Sequence, residues 1–170
     1  MDRLATAGVL LRAASAADLP AVLGLVRELA KFEQLAGPDE EAAQRFAADF
    51  ARQRFGLWVA DVSGEVAGYA LHFMTYSTFL ARPSLYLEDL YVRPERRRLG
   101  IASGLLRALA RHANELGCGR FEWTVLDWNE PAQAFYRSLG AEVLPDWRVC
   151  RVSGEALVAL ANASATSSAE

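Results

Sequence analysis

An apolar strand that empties into a basic turn, and from there directly into an amphipathic helix, constrains this 170-residue chain more than any other feature. It runs Leu87-Glu88-Asp89-Leu90-Tyr91-Val92-Arg93-Pro94-Glu95-Arg96-Arg97-Arg98-Leu99-Gly100-Ile101-Ala102-Ser103-Gly104. Gly100 has no Cβ, so the backbone there can approach a ligand closely. The first N–H groups of the following helix lack intrahelical acceptors. With the helix dipole they make an anion site suited to a pyrophosphate. No Gly-Lys-Ser/Thr follows, which excludes the nucleoside-triphosphate loop, and no Gly-x-Gly-x-x-Gly is present, which excludes the dinucleotide fingerprint.

The rest of the chain is patterned as an alternation of strands and helices. Residues 1–7 are expected as a loose end, followed by a strand at Val9 to Arg12. Ser15-x-x-Asp18 resembles a capping box ahead of Pro20, and Leu19, Val22, Leu23, Val26 and Leu29 recur at helical spacing. Gly37-Pro38 breaks the chain before a second helix from Asp39 to Arg54. Leu57 to Val62, the Ser63-Gly64 turn and Val66 to Tyr76 form a hairpin pattern. After the strand ending at Val92 comes a helix from Ile101 to Leu116 with Gly117 as its cap, then a strand from Arg120 to Leu126. Asn129 caps a helix whose first turn holds Pro131 and which Gly140 ends. Strands at Ala141 to Leu144 and Trp147 to Val152 are expected to close the sheet, and residues 161–170 are expected as a disordered tail. This order implies a mixed α/β sheet in one domain, residues 1–160.

Bulk properties exclude several classes. A hydrophobic fraction of 52% and a charged fraction of 23% fit a soluble globular protein, and no apolar run reaches the roughly 18 residues a membrane span requires. A net charge of −3 disfavours non-specific nucleic-acid binding. No secretory signal pattern follows Met1-Asp2-Arg3, so a cytoplasmic location is expected. Two cysteines and two histidines are too few for a disulfide framework or a typical zinc site, so no metal is expected.

Arg97-x-x-Gly100-x-Ala102 after an apolar strand, followed by Leu126-Asp127-Trp128-Asn129-Glu130-Pro131-Ala132-Gln133-Ala134-Phe135-Tyr136 and Leu139-Gly140-Ala141, resembles the GNAT N-acetyltransferase superfamily. Glu88-Asp89, Trp128-Asn129-Glu130-Pro131 and Phe135-Tyr136 are most similar to the diamine acetyltransferases of the spermidine/spermine and thialysine types. The resemblance covers roughly residues 9–152. It implies a mostly antiparallel central sheet with splayed central strands flanked by helices. It also implies acetyl-CoA as co-substrate, a small amine as acceptor, and a homodimer.

Acyl transfer from a thioester to an amine needs an anchored donor, a polarised carbonyl, a deprotonated amine and a proton for the departing thiolate. The resemblance assigns the anchor to Arg97, Arg98, Leu99, Gly100, Ile101, Ala102 and Ser103, with backbone N–H groups facing the pyrophosphate. It assigns the donor carbonyl and pantetheine to the backbone of Leu90, Tyr91 and Val92, with Asn129, Pro131 and Ala132 along the same arm. Tyr136 is the expected general acid, since a phenol stays protonated to a pH of about 10. Glu88 is the expected base, directly or through a water; the alternative is a carboxylate paired with an arginine. In a regular strand Asp89 points to the opposite face. Phe32 and Glu33, with Glu122 and Asp127, are the expected acceptor-side residues. Phe32 stands where the diamine enzymes carry tyrosine, and the region of Pro145-Asp146-Trp147 is shorter than theirs, which favours a smaller amine. Trp58, Trp123, Trp128 and Trp147 are expected in the core and slot walls, and His72 and His112 as structural or surface groups. Two other readings share these residues: a protein or peptide N-acetyltransferase, and a non-catalytic acyl-CoA-binding regulatory module.

Overall fold

The computed structural model describes residues 2–4 and 8–163. The chain divides into two compact units, residues 1–128 and 129–170.

The first unit is built on a six-stranded sheet whose spatial order is its chain order. β1 (Asp2–Leu4), β2 (Val9–Ala13), β3 (Gly56–Val62), β4 (Glu65–Ser77) and β5 (Arg82–Val92) pair antiparallel with their neighbours. β6 (Arg120–Trp123) pairs parallel with β5. A parallel pair needs a crossover, and α3 (Ile101–Glu115) provides it. α1 (Leu19–Phe32) and α2 (Glu40–Ala51) fill the connection between β2 and β3. The sheet is therefore mixed, mostly antiparallel and flanked by helices.

Core packing follows the periodicity. Leu19, Val22 and Leu25 of α1 meet Leu57, Val59, Val66, Tyr69, Leu71 and Tyr91 of the sheet in one buried cluster. Ile101, Leu105 and Leu109 of α3 are buried as well. Gly68 matters here: a Cβ on it would stand 2.8 Å from the Tyr91 carbonyl oxygen and 3.4 Å from Ile101 Cγ2. Only glycine lets the start of α3 sit this close to β4.

The capping expectation at Ser15 and Asp18 is met in a stronger form. Asp18 accepts from the Ser15 backbone N–H at 2.7 Å and its hydroxyl at 2.8 Å, and from both terminal nitrogens of Arg12 at 2.8 Å. The Arg12 bonds, then the Ser15 bonds, hold the Asp18 carboxyl far below the usual carboxylate range against the opposing effect of burial. This tie joins β2 to the start of α1.

Four expectations need correction. Asp2–Leu4 is a strand, because its backbone completes the ladder along β2; residues 1 and 5–7 lie outside the described residues. β6 stops at Trp123 rather than Leu126. Residues 141–153 carry no strand, so neither closing strand forms among the described residues; alternation alone supplies no partner edge. The second unit instead consists of α4 (Glu130–Ser138) and α5 (Gly154–Asn162) with irregular chain between them. The expected tail thus begins inside a helix, and residues 164–170 lie outside the described residues. No helix among the described residues is long and apolar enough to cross a membrane.

Candidate functional site

β6 covers only half of β5. Its four residues pair with Ser84, Leu85, Tyr86 and Leu87, and past Leu87 that edge of β5 has no strand partner among the described residues. On the other edge β5 stays paired with β4 to its end, through Leu90↔Ala70, Tyr91↔Tyr69 and Val92↔Gly68. The Arg93 N–H donates to Ala67 O at 3.0 Å, which marks a hydrogen-bonded pair. Antiparallel pairs alternate, so Tyr91 bonds to β4 while Leu90 and Val92 turn their backbone N–H and C=O groups to the open edge. The Val92 carbonyl shows this directly, accepting from Arg97 Nε at 3.1 Å. An extended, amide-bearing ligand can add to this edge as a further strand. Tyr91 contributes structure instead: its side chain is buried and its hydroxyl donates to Glu28 at 3.2 Å.

The basic turn follows at once. Arg98 and Gly100 both take left-handed conformations, at φ +63° and +76°. A non-glycine residue there costs about 1–2 kcal/mol, so the turn holds Arg98 under strain. The first intrahelical bond of α3 is Gly104 N–H to Gly100 O at 2.9 Å, which leaves the N–H groups of Ile101, Ala102 and Ser103 without intrahelical acceptors. Ser103 Oγ donates to the same Gly100 carbonyl at 3.0 Å. A Cβ on Gly100 would meet nothing nearer than Ser103 Oγ at 3.9 Å, so glycine is required by conformation and open approach, not by packing. The arginines divide their work. Arg93 pairs with Glu28 and Glu65, Arg96 with Glu65, and Arg97 with the Val92 carbonyl. Arg98 is exposed and makes no ion pair among the described residues, which makes it the arginine available to an anion.

Between these features the strand is irregular. Leu87 pairs with His72 and Asp89 with Leu71, so Glu88 is a bulge residue without a cross-strand partner. The strict alternation expected here does not hold. Glu88 is exposed, and its charge reaches Asp89. Asp89 accepts from the Tyr69 hydroxyl at 3.0 Å. Burial pushes its carboxyl up to about 6, with Glu88 and Glu33 adding to the rise and the Tyr69 bond opposing it. Burial and Asp89 together push the Tyr69 phenol far up, so it stays a donor. Asp89 and Tyr69 are functional candidates that reasoning from a regular strand passes over.

The acceptor-side candidates fall into two groups. Glu33, the C-cap of α1, belongs electrostatically with Asp89 and Tyr69. Phe32 is 45% exposed and packs its ring on Trp128 at 5.8 Å. Glu122 is instead engaged with Arg120 at 3.6 Å, and Asp127 lies exposed after β6. Trp128 and Trp147, expected as walls, are 57% and 78% exposed. His72 is buried against His112, and burial pulls its imidazole down to about 4, as befits a structural histidine.

In the second unit, Asn129 Oδ1 accepts the Ala132 N–H at 3.3 Å and so caps α4, where Pro131 lies in the first turn. Tyr136 is half-buried on α4, with its ring 5.5 Å from that of Phe135.

The profile of the Acetyltransferase (GNAT) family matches residues 23–141. A thialysine N-epsilon-acetyltransferase of Sus scrofa is 37% identical over 168 residues, covering 91% of this chain and 98% of that protein. An L-ornithine N5-acetyltransferase of Arabidopsis thaliana is 47% identical over 95 residues, 56% of this chain; the match spans 42% of that relative's length. Among solved structures, an integron cassette protein of V. cholerae has the same fold, with a TM-score of 0.78 over 92% of this chain and 99% of that one at 23% identity. Matched by the family profile through its central region and by a full-length relative over nine-tenths of its sequence, this chain belongs to the GNAT family and is an acyltransferase.

Proposed function

We propose that the chain transfers an acetyl group from acetyl-CoA to the primary amine of a small cationic substrate: a diamine, a polyamine or a thialysine-like compound. The observation that carries this reading is the juxtaposition of Glu33, Glu88 and Asp89 beside the open half of β5. The names of the thialysine and ornithine acetyltransferase relatives support it.

The residues present suit acetyl-CoA. Open backbone groups of Leu90 and Val92 match the amides of its arm, and the turn from Arg97 to Ser103 with Arg98 matches its pyrophosphate. When bound, the co-substrate supplies a thioester carbonyl. Its arm would also run along Asn129, Pro131 and Ala132. In this reading the Leu90 and Val92 N–H groups orient the arm, and Glu88 takes the amine proton, directly or through a water. Tyr136 Oη–H donates to the departing sulfur. Phe32 and Glu33 hold the cationic acceptor, and Asp127 and Glu122 add acidic character beyond them. No metal is invoked.

A second assignment of the base has its own support. Asp89, raised to about 6 and fixed by Tyr69, is ionised at neutral pH and more basic than an ordinary carboxylate. We also propose a cytoplasmic location and a homodimer; Leu144, Trp147, Val149 and the α5 residues Leu157, Val158 and Leu160 expose apolar surface in the single chain, which supports the second.

Free-thiol release from acetyl-CoA across spermidine, putrescine, thialysine, ornithine, lysine and short peptides tests the reading. Turnover concentrated on one small cationic amine is expected. Turnover on peptides alone would move the assignment to a protein acceptor, and acetyl-CoA binding without turnover would leave a regulatory module.

A further inference from the structure

The aromatic pair Phe32–Trp128 is not spent on packing. Its centroids lie 5.8 Å apart with planes tilted by 50°, yet 45% of Phe32 and 57% of Trp128 stay exposed. Phe32 ends α1 and is followed by Glu33, whose charge reaches Asp89 and the Tyr69 phenol, while Glu88 reaches Asp89 from the bulge. Among the described residues no arginine, lysine or histidine forms an ion pair with Glu33, Glu88 or Asp89. Three carboxylates thus gather with no ion-paired cation among the described residues, and an exposed tryptophan adjoins them through Phe32. Carboxylates balance the charge of a cation, and an indole face attracts it through the ring quadrupole, more strongly than any other side-chain ring.

We infer that Trp128 is a specificity-determining residue: its indole, set by the Phe32 ring, receives the distal ammonium of a diamine substrate. The inference rests on the small-amine reading above and goes beyond it by dividing the work between the two ends of the substrate. The attacking nitrogen must be neutral, so it needs a proton acceptor and gains nothing from an aromatic face. The far nitrogen stays an ammonium throughout, with a pKa of about 10, and is the end that such a face can select. Trp128 therefore discriminates between a diamine and a monoamine of the same length.

The test compares kcat/KM for 1,4-diaminobutane with that for n-pentylamine, in which a methyl group replaces the second ammonium. Trp128→Ala is expected to lower the diamine-to-monoamine ratio about 3- to 30-fold, mainly through the diamine KM. Trp128→Phe, which keeps a weaker aromatic face, should hold an intermediate ratio. Thermal unfolding and acetyl-CoA affinity of each variant verify that the fold survives. An unchanged ratio in Trp128→Ala would overturn the inference, as would equal losses on both amines, which mark a purely structural role. Either result leaves the small-amine reading standing if the wild type still acetylates the diamine. A wild type that acetylates no amine overturns both.

Discussion

Asp89→Asn separates the electrostatics of the carboxylate cluster from its shape. In the folded protein the Asp89 carboxyl rises from 3.8 to about 6, chiefly through burial, so folding favours its neutral form. Between those two pH values the native state binds more protons than the unfolded chain, and stability falls as pH rises. Carried through, that difference amounts to about 3 kcal/mol lost above pH 6, a ceiling because the side chain retains some contact with solvent. Roughly half of it, about 1.5 kcal/mol, is the expected effect. Asparagine keeps an oxygen to accept the Tyr69 hydroxyl but carries no charge. Denaturant unfolding of wild type and variant at pH 4 and pH 8 isolates the effect as a double difference. The variant should gain about 1.5 kcal/mol relative to wild type on going from the lower to the higher pH. A difference that does not change with pH, or that changes in the opposite direction, would refute the placement of a charged Asp89 among Glu33 and Glu88. Kinetics divide the two base assignments: if Asp89 is the base, the variant loses turnover and the wild-type rate declines as pH falls through about 6.

Tyr136→Phe should lower kcat by at least about tenfold with little change in the KM for acetyl-CoA, measured by thiol release; an unaltered kcat removes the phenol from the acid role. Gly100→Val forces a β-branched residue to φ +76° and puts bulk on the anion-facing side of the turn, so acetyl-CoA affinity by calorimetry should fall at least about tenfold. Asp18→Asn breaks the doubly bonded Arg12 contact and should destabilise the fold at pH 7 by about 2–3 kcal/mol in chemical denaturation. The low carboxyl pKa fixes the sign of its pH dependence: the Asp18 contribution is fully present above the usual carboxylate range and is lost as pH falls toward the depressed folded-state value, so the gap between wild type and variant should begin to narrow below about pH 4 and close only in strong acid.

The basic turn and the start of α3 were legible in the sequence because they are local chemistry. Gly100, the arginines and the amphipathic spacing of α3 stand within one short segment, and Asn129 and Pro131 advertise α4 in the same way. The bulge at Glu88 was not legible, since it depends on how β4 and β5 register over their full length and no residue in Leu87-Glu88-Asp89 signals an insertion. A regular strand would turn Asp89 away from the face that carries Glu88. The alternating residues near Ala141 to Leu144 and Trp147 to Val152 read as strands, but a strand exists only where another edge receives it. Exposure is likewise a tertiary property: nothing in Asp127-Trp128-Asn129 distinguishes a core tryptophan from one that keeps 57% of its surface.

An open strand edge is also a hazard, because it offers any other polypeptide a template for pairing and hence for aggregation. β5 brackets its own. At one end Glu88 bulges out of register, and at the other Arg97 Nε already occupies the Val92 carbonyl. Only the backbone N–H and carbonyl of Leu90 and the N–H of Val92 remain open between, with the charges of Glu88 and Asp89 at the entrance. Such a gap is long enough for the amides of a small ligand and too short to seed a foreign strand.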